Sequence, residues 1–361
     1  MNFNFYLIKS LRIFLFPFSL LYGLIVIVRN YLYEKDVLKS VSFNLPVISV
    51  GNLIVGGTGK SPMVEYLIRL LQDNYKMATI SRGYKRKTKG YILATPGTTA
   101  LDIGDEPMQF YSKFPGIPVA VGEERIEAIP QLLQDFPETN VIVLDDAFQH
   151  RKIHPGLNIL LTECTNLFTR DFFLPTGDLR DQRSSYKRAD IMVVTKCHPF
   201  MSLDEKAAIT NEIKPMPHQQ IFFTTILYNQ PYHIFTKQIR TINFFDEVLL
   251  VTGIANTTPI KTYIVNQAKT YNELCFSNHH IYTIDDLKEI RKRFNEINDD
   301  YKIIVTTEKD AVRLLKFKDE LIDLPLFVLP VEHRFLFGDT HHFNSLITGF
   351  INHFPFNTET V

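Results

Sequence analysis

The chain has 361 residues, 45% of them hydrophobic and 22% charged, which excludes a disordered or low-complexity polypeptide and is too long for one small core. Its 39 Lys and Arg balance 39 Asp and Glu, so no global basic field draws it to nucleic acid. The three cysteines, Cys164, Cys197 and Cys275, are widely spaced and form no CxxC, which argues against a disulfide scaffold or structural zinc and points to a reducing compartment.

The first element is apolar. Ile13 to Val28 carries no charge over 16 residues. As a helix that is about 24 Å, short of the ~30 Å hydrocarbon core of a bilayer. Pro17 and Gly23 interrupt it, Lys9 and Arg12 precede it, and Arg29 and Lys35 follow it. No small-residue cleavage site follows, so a secretory signal is not expected. A buried core helix and a single span compete with the preferred reading. That reading is a helix over 1–35 lying in or dipping into one leaflet, with its basic residues against lipid phosphates. It keeps the rest of the chain cytoplasmic, with peripheral or monotopic attachment.

After Pro46 comes a short apolar strand, VISVGN, then the loop LIVGGTGKSP, then an amphipathic helix with Met63, Tyr66, Leu67 and Leu70 on one face. Strand, Gly-rich loop ending in Gly-Lys-Ser, helix: this is the setting a phosphate-binding loop needs. Gly56, Gly57 and Gly59 let backbone N–H groups curl around phosphate oxygens. Ile54, Val55 and Thr58 complete the loop. Lys60 supplies a point charge near the β- and γ-phosphates, and the Ser61 hydroxyl can ligate Mg²⁺. Ile54 stands where the strict pattern has a glycine.

The next strand ends in ISRGYKRK. Its basic cluster reads as a solvated turn or as a surface for anionic lipid or a phosphorylated substrate. Then IGDEPMQF opens a helix with Asp105 and Glu106 in its first turn, either a helix cap or a carboxylate near the γ-phosphate. The strand Val141 to Leu144 ends in Asp145-Asp146. Such a pair after a phosphate loop is a Walker-B arrangement in which one carboxylate holds Mg²⁺. Gln149 and His150 orient substrate or cap the turn. At the end of RADIMVVTKCH, Thr195-Lys196-Cys197 is followed by His198, not by the Asp with which GTPases read guanine. This weakens a GTPase or ATPase switch or chaperone, and a nucleotide-dependent ligase is a third reading.

Proline-rich IKPMPHQQ and YNQPYHIF mark a boundary, with Ile221 to Leu227 as a connecting strand. Beyond it strands and helices alternate again, with a helix over Ile284 to Glu296, so the second domain is also α/β. The expected division is a kinase domain over 36–215, a linker over 216–245 and a smaller α/β domain over 246–361. Thr307-Glu308-Lys309-Asp310 reads as a helix cap.

The ordered set VGNLIVGGTGKSP, ISRGYKRK, GDEP, VLDDAFQHR, FFLPTGDLRD, FSNHH and VTTEKDAVRL resembles the tetraacyldisaccharide 4'-kinase family of lipid A biosynthesis, from Val50 to Arg313. The resemblance implies a P-loop NTPase-like parallel sheet domain. It also implies Mg²⁺-dependent transfer of the ATP γ-phosphate to the 4'-hydroxyl of a tetraacyldisaccharide 1-phosphate. By the same resemblance Asp105 is the catalytic base and His279 its partner, with His280 as rival. Asn278 stands where the family usually has Asp. The family's loop also lacks the first glycine, so Ile54 is no obstacle. The implied partners are an acylated disaccharide lipid and the inner-membrane surface.

Overall fold

A computed structural model describes residues 12–355, so Lys9 lies outside the described residues. After a 3₁₀ turn at Ile13–Leu15, helix α1 covers Phe16–Glu34. The body begins with β1 (Val47–Asn52), α2 (Lys60–Leu71), β2 (Met77–Ser81) and β3 (Ile92–Leu93). It continues with α3 (Asp105–Lys113), β4 (Val119–Val121), α4 (Arg125–Asp135), β5 (Val141–Asp145), β6 (Leu157–Glu163) and β7 (Ile191–Thr195). Strands β1, β2, β5 and β7 are buried along their whole length. That is what unbroken Val/Ile/Leu runs produce when helices cover both faces of a parallel sheet.

After α5 (Leu203–Ile213), β8 (Gln220–Tyr228) joins this sheet in parallel beside β7. A second sheet collects β9 (Tyr232–His233), β10 (Glu247–Thr252), β11 (Thr270–Cys275), β12 (Lys302–Thr307) and β13 (Leu326–Leu329). Its helices are α6 (Thr258–Val265), α7 (Ile284–Glu296) and α8 (Glu308–Leu314). The chain then returns. Strand β14 (Val331–Phe335) pairs antiparallel with β8, completing a nine-stranded sheet ordered β14-β8-β7-β6-β1-β5-β2-β4-β3. Helix α9 (Thr340–Asn352) follows, burying Phe343, Ile347 and Ile351 in the first domain's core beside α2.

Two expectations differ from this arrangement. Ile221 to Leu227 is not a connector but part of a nine-residue strand, because Phe222, Phe223, Thr224 and Thr225 are buried between β7 and β14. The second unit does not run to the C-terminus, since β14 and α9 belong to the first. Proline and polar composition marked the crossing out at about 230 but gave no sign of the crossing back at Pro330.

Helix α1 is not a core helix. Its narrow buried stripe is Ser19, Gly23, Val26, Asn30 and Tyr33. The stripe is largely polar and docks on the loop around 173–188. Ser19 donates to Thr176 Oγ1 (2.7 Å), Tyr22 to the Arg180 carbonyl (2.9 Å) and Asn30 to buried Asp181 (2.6 Å). Gly23 leaves room for the Phe173 ring, which a β-carbon would meet at 2.7 Å. The outward face is apolar, with Phe14 78%, Phe18 62%, Leu21 58% and Ile25 59% exposed. This inverts the pattern of a soluble surface helix.

Candidate active site

The phosphate loop joins the end of β1 to α2, which begins at Lys60. Gly56 (φ 125°) and Gly59 (φ 87°) take left-handed backbone conformations that side-chain-bearing residues resist. The loop is held from beneath. Asn52 donates to Thr58 Oγ1 (3.0 Å), and Thr195, at the tip of β7, donates to the Thr58 carbonyl (2.8 Å). His333, on the returning strand β14, lies 2.8 Å from the Gly59 carbonyl through Nε2, so this nitrogen donates. Its Nδ1 lies 2.9 Å from Thr224 Oγ1, and burial lowers the ring's pKa to about 4, fixing a neutral imidazole. Thr195 is thus a brace for the loop rather than part of a base-reading motif, and Lys196 is spent on Glu163 (2.9 Å).

The two Walker-B carboxylates are not equivalent. Asp146 is gripped by both terminal nitrogens of Arg180, at 3.0 and 2.8 Å, with Lys60 Nζ 3.6 Å away. Burial alone raises its pKa, but Lys60 and Arg180 outweigh that and hold it far below the usual carboxylate range. Asp145 is fully enclosed. Burial, with Asp146 and Glu106 nearby, pushes its pKa up to about 7. Its Oδ2 has only a long contact from Ser81 (3.4 Å), and its Oδ1 has no hydrogen-bond partner. A buried, orphaned carboxylate oxygen beside the phosphate loop fits a divalent cation. Among the described residues no cluster of three or more His, Cys, Asp or Glu is built to hold a metal by itself. That matches a magnesium ion, which is usually bound by one or two carboxylates plus substrate phosphates.

Asp105 opens α3 from Gly104. Arg313, on α8 of the other domain, donates Nε to Oδ1 (2.9 Å) and Nη2 to Oδ2 (2.5 Å). His279 Nδ1, in the loop after β11, lies 2.9 Å from Oδ2. Its backbone takes φ 60°, held by an N–H donated to the Gly253 carbonyl (3.0 Å). Burial pushes the Asp105 carboxyl upward, but Arg313 and then His279 more than offset this, so its pKa lies below the ordinary value. His280 points elsewhere. It stacks on Phe276 (4.6 Å between centroids) and lies 2.9 Å from Asp286. Of the adjacent histidines, His279 is therefore the one in contact with Asp105. Next to Asp105, Glu106 accepts from Lys309 of α8 (2.6 Å). The charge of Lys309 acts on Lys60, and that of Glu106 on Asp145, so the interdomain pair links the phosphate loop to the Asp105 cluster.

The Asp105 cluster lines a cleft of about 240 Å³ between the domains. Tyr84, Leu101 and Met108 wall it on one side, and Ile281, Val312 and Leu315 on the other.

This geometry has known counterparts. The profile of the tetraacyldisaccharide-1-P 4'-kinase family (LpxK) matches residues 11–352. The chain belongs to the tetraacyldisaccharide 4'-kinase family. Relatives of that name include one from Flavobacterium johnsoniae, 47% identical across 90% of this chain and 93% of its own. Another, from Phocaeicola vulgatus, is 43% identical across 93% and 94%. The crystal structure of the "apo" form of LpxK from Aquifex aeolicus in complex with ATP superposes with a TM-score of 0.75 at 29% identity, covering 94% of this chain and 99% of that one.

Motif reading picked out the loop and the Asp pair, and the resemblance picked out Asp105 and His279, which the fold brings into contact. Both missed Arg313, Arg180, His333 and the Glu106–Lys309 pair. Arg180 and Arg313 sit inside quoted motifs, FFLPTGDLRD and VTTEKDAVRL. The missing signal was distance in sequence, since Arg313 lies 208 residues from Asp105.

Proposed function

We propose that the chain binds ATP on the loop from Ile54 to Ser61 and transfers its γ-phosphate to the 4'-hydroxyl of a tetraacyldisaccharide 1-phosphate held in the interdomain cleft. The observation that carries this is the Asp105–His279 contact, made across two domains in the interdomain cleft and next to the Glu106–Lys309 ion pair. Asp105 accepts the hydroxyl proton as the phosphoryl group moves. Arg313 keeps the carboxyl ionised at neutral pH, and the His279 ring adds a second contact to Oδ2, which leaves Oδ1 with the Arg313 Nε donor and room to accept another hydrogen bond. Lys60 supports the charge on the transferring group. Magnesium would supply positive charge against the nucleotide's phosphate oxygens when bound. Asp145 and the Ser61 hydroxyl would hold it, with Asp146 committed to Arg180. Incubation with ATP radiolabelled at the γ-phosphate and the disaccharide lipid in detergent tests the reading. Label in the lipid is expected, whereas release of inorganic phosphate alone would favour an NTPase switch.

We further propose that α1 rests in the cytoplasmic leaflet of the inner membrane without crossing it. Both ends of the helical segment are tied to the protein body, Arg12 to Asp178 (3.0 Å) and Asn30 to Asp181. Phe14, Phe18, Leu21 and Ile25 form one exposed face. Exchanging all four for serine removes apolar burial of about 1.5–3 kcal/mol per side chain in the bilayer. Sedimentation with phospholipid vesicles is expected to drop by orders of magnitude with the melting temperature retained. Undiminished sedimentation would remove α1 as the anchor.

A further inference from the structure

Helix α1 and the residue before its first turn are tied to the phosphate loop through one intervening segment. That segment is a loop over 172–181. It folds back on itself, with the Leu174 N–H on the Leu179 carbonyl (3.0 Å) and the Leu179 N–H on the Phe172 carbonyl (2.9 Å). Arg12 clasps its tip with three donors: Nε to the Pro175 carbonyl (2.8 Å), Nη2 to the Gly177 carbonyl (3.0 Å) and Nη1 to the Asp178 carboxylate (3.0 Å). Ser19 donates to Thr176 Oγ1 and also accepts from the Thr176 N–H (2.9 Å). Tyr22 donates to the Arg180 carbonyl.

The opposite edge of the same loop grips the nucleotide site. The Asp178 carbonyl accepts from the Val55 N–H (2.7 Å), and the Arg180 N–H donates to the Leu53 carbonyl (2.8 Å). These two bonds pair Ile54 with Leu179 as a short antiparallel bridge, and both side chains are buried. The first residues of the phosphate loop are thus hydrogen-bonded to the residues that α1 holds. The Arg180 side chain goes on to reach Asp146 and Asn52. A second path runs beside this one. Arg29 of α1 donates to the Gln149 carbonyl (2.8 Å), and the Gln149 side chain donates to the Asn52 carbonyl (2.6 Å). Both paths end at Asn52, which itself holds Thr58. Attachment of the helix alone would be served by the packing of Tyr22 and Gly23 on Phe173.

We propose that Arg12, Ser19 and Tyr22 are positioning residues for ATP. Acting through the 172–181 loop, they fix the leading edge of the phosphate loop and the Arg180 guanidinium, so the exposed apolar helix is also a working part of the nucleotide site. This rests on ATP binding to the phosphate loop, as read above, and not on the depth of α1 in a bilayer. The physical basis is preorganisation. A phosphate loop that is already ordered loses less freedom when it closes on a nucleotide, and so binds it more tightly.

The test uses the full chain in neutral detergent with Arg12→Met, Ser19→Ala and Tyr22→Phe, singly and together. Tyr22→Phe keeps the ring on Phe173 and removes a single hydrogen bond, so it disturbs folding least. Equilibrium binding of ATP with magnesium is measured directly, alongside kcat and the KM of each substrate. ATP binding is expected to weaken roughly threefold in Tyr22→Phe and roughly tenfold or more in the triple variant. Turnover should fall with it, while the KM for the lipid and sedimentation with phospholipid vesicles stay as in the wild type. Arg12→Lys, which keeps a charge opposite Asp178, should retain more affinity than Arg12→Met. Wild-type ATP affinity in the triple variant overturns the proposal. So does a loss confined to a triple variant of lowered melting temperature with Tyr22→Phe indistinguishable from wild type, because the contacts then serve only the fold. Failure of the kinase reading shows separately, as a wild type that binds ATP and leaves the lipid unlabelled.

Discussion

Lys60→Ala is expected to reduce turnover by about 10²–10³-fold in a protein that folds normally. The size follows from where the ammonium sits. It lies in the crook of the phosphate loop, half-buried, 3.6 Å from Asp146. Burial lowers its pKa, opposed mainly by Asp146, so this charge is partly shielded from water, which strengthens its action on a phosphoryl group. The fold does not depend on it. Asp146 keeps both nitrogens of Arg180, and the loop carbonyls of Thr58 and Gly59 stay tied to Thr195 and His333. An unchanged melting temperature with the loss concentrated in kcat is therefore expected. Lys60→Arg should restore little, because a planar fork does not replace a compact ammonium in a closed loop. Near-normal turnover in folded Lys60→Ala protein would sink the assignment of the loop.

The independence of loop and side chain explains how much could be read beforehand. The phosphate loop, the Asp145-Asp146 strand end and the acidic start of α3 are local objects. Each is a few consecutive residues whose chemistry depends on adjacency, so each is visible as a string. The second domain's helix over Ile284–Glu296 was visible for the same reason. Its Thr283–Asp286 capping box and 3.6-residue apolar period are both local. What stayed hidden was made by closure of the chain on itself. His333 braces Gly59 across 274 residues, and Arg313 reaches Asp105 across 208. No spacing rule records such contacts. The return of β14 to the first sheet was hidden likewise, since a strand's partner is not written in its own sequence. Only the resemblance singled out His279, and nothing in Asn278-His279-His280 ranks the two histidines. The left-handed backbone at His279 separates them, sending one ring to Asp105 and the other to Asp286.

That separation sets the second large effect. Asp105→Ala is expected to lower the chemical step by about 10²–10⁴-fold, since the acceptor hydroxyl loses its proton acceptor. His279→Ala should lower it too, with ATP affinity retained, because the ring touches Asp105 and not the phosphate loop. If the pair acts as one unit, the double variant should be little worse than the worse single one. Additive losses would show that they act apart. His280→Ala should cost little turnover, since its contacts are Phe276 and Asp286, and a severe loss there with His279→Ala silent would reverse the assignment. Arg313 supplies an independent readout through pH. Burial is the largest influence on the Asp105 pKa and raises it, but Arg313 and then His279 together hold it below the ordinary value, and the form expected to react is the carboxylate. Activity is therefore present above the depressed pKa and lost as pH falls through it. Arg313→Met removes the larger of the two influences that lower it, Arg313 and His279, so the Asp105 pKa rises and the acid limb of the kcat/KM profile moves to higher pH. A limb that stays in place would mean that another group carries the proton. Asp105 is suited to this work because a phosphoryl group leaving through a loose transition state asks little basicity of its acceptor. It asks instead for a carboxylate that is ionised, dry and fixed in place, and Arg313 and His279 supply those conditions from the opposite domain.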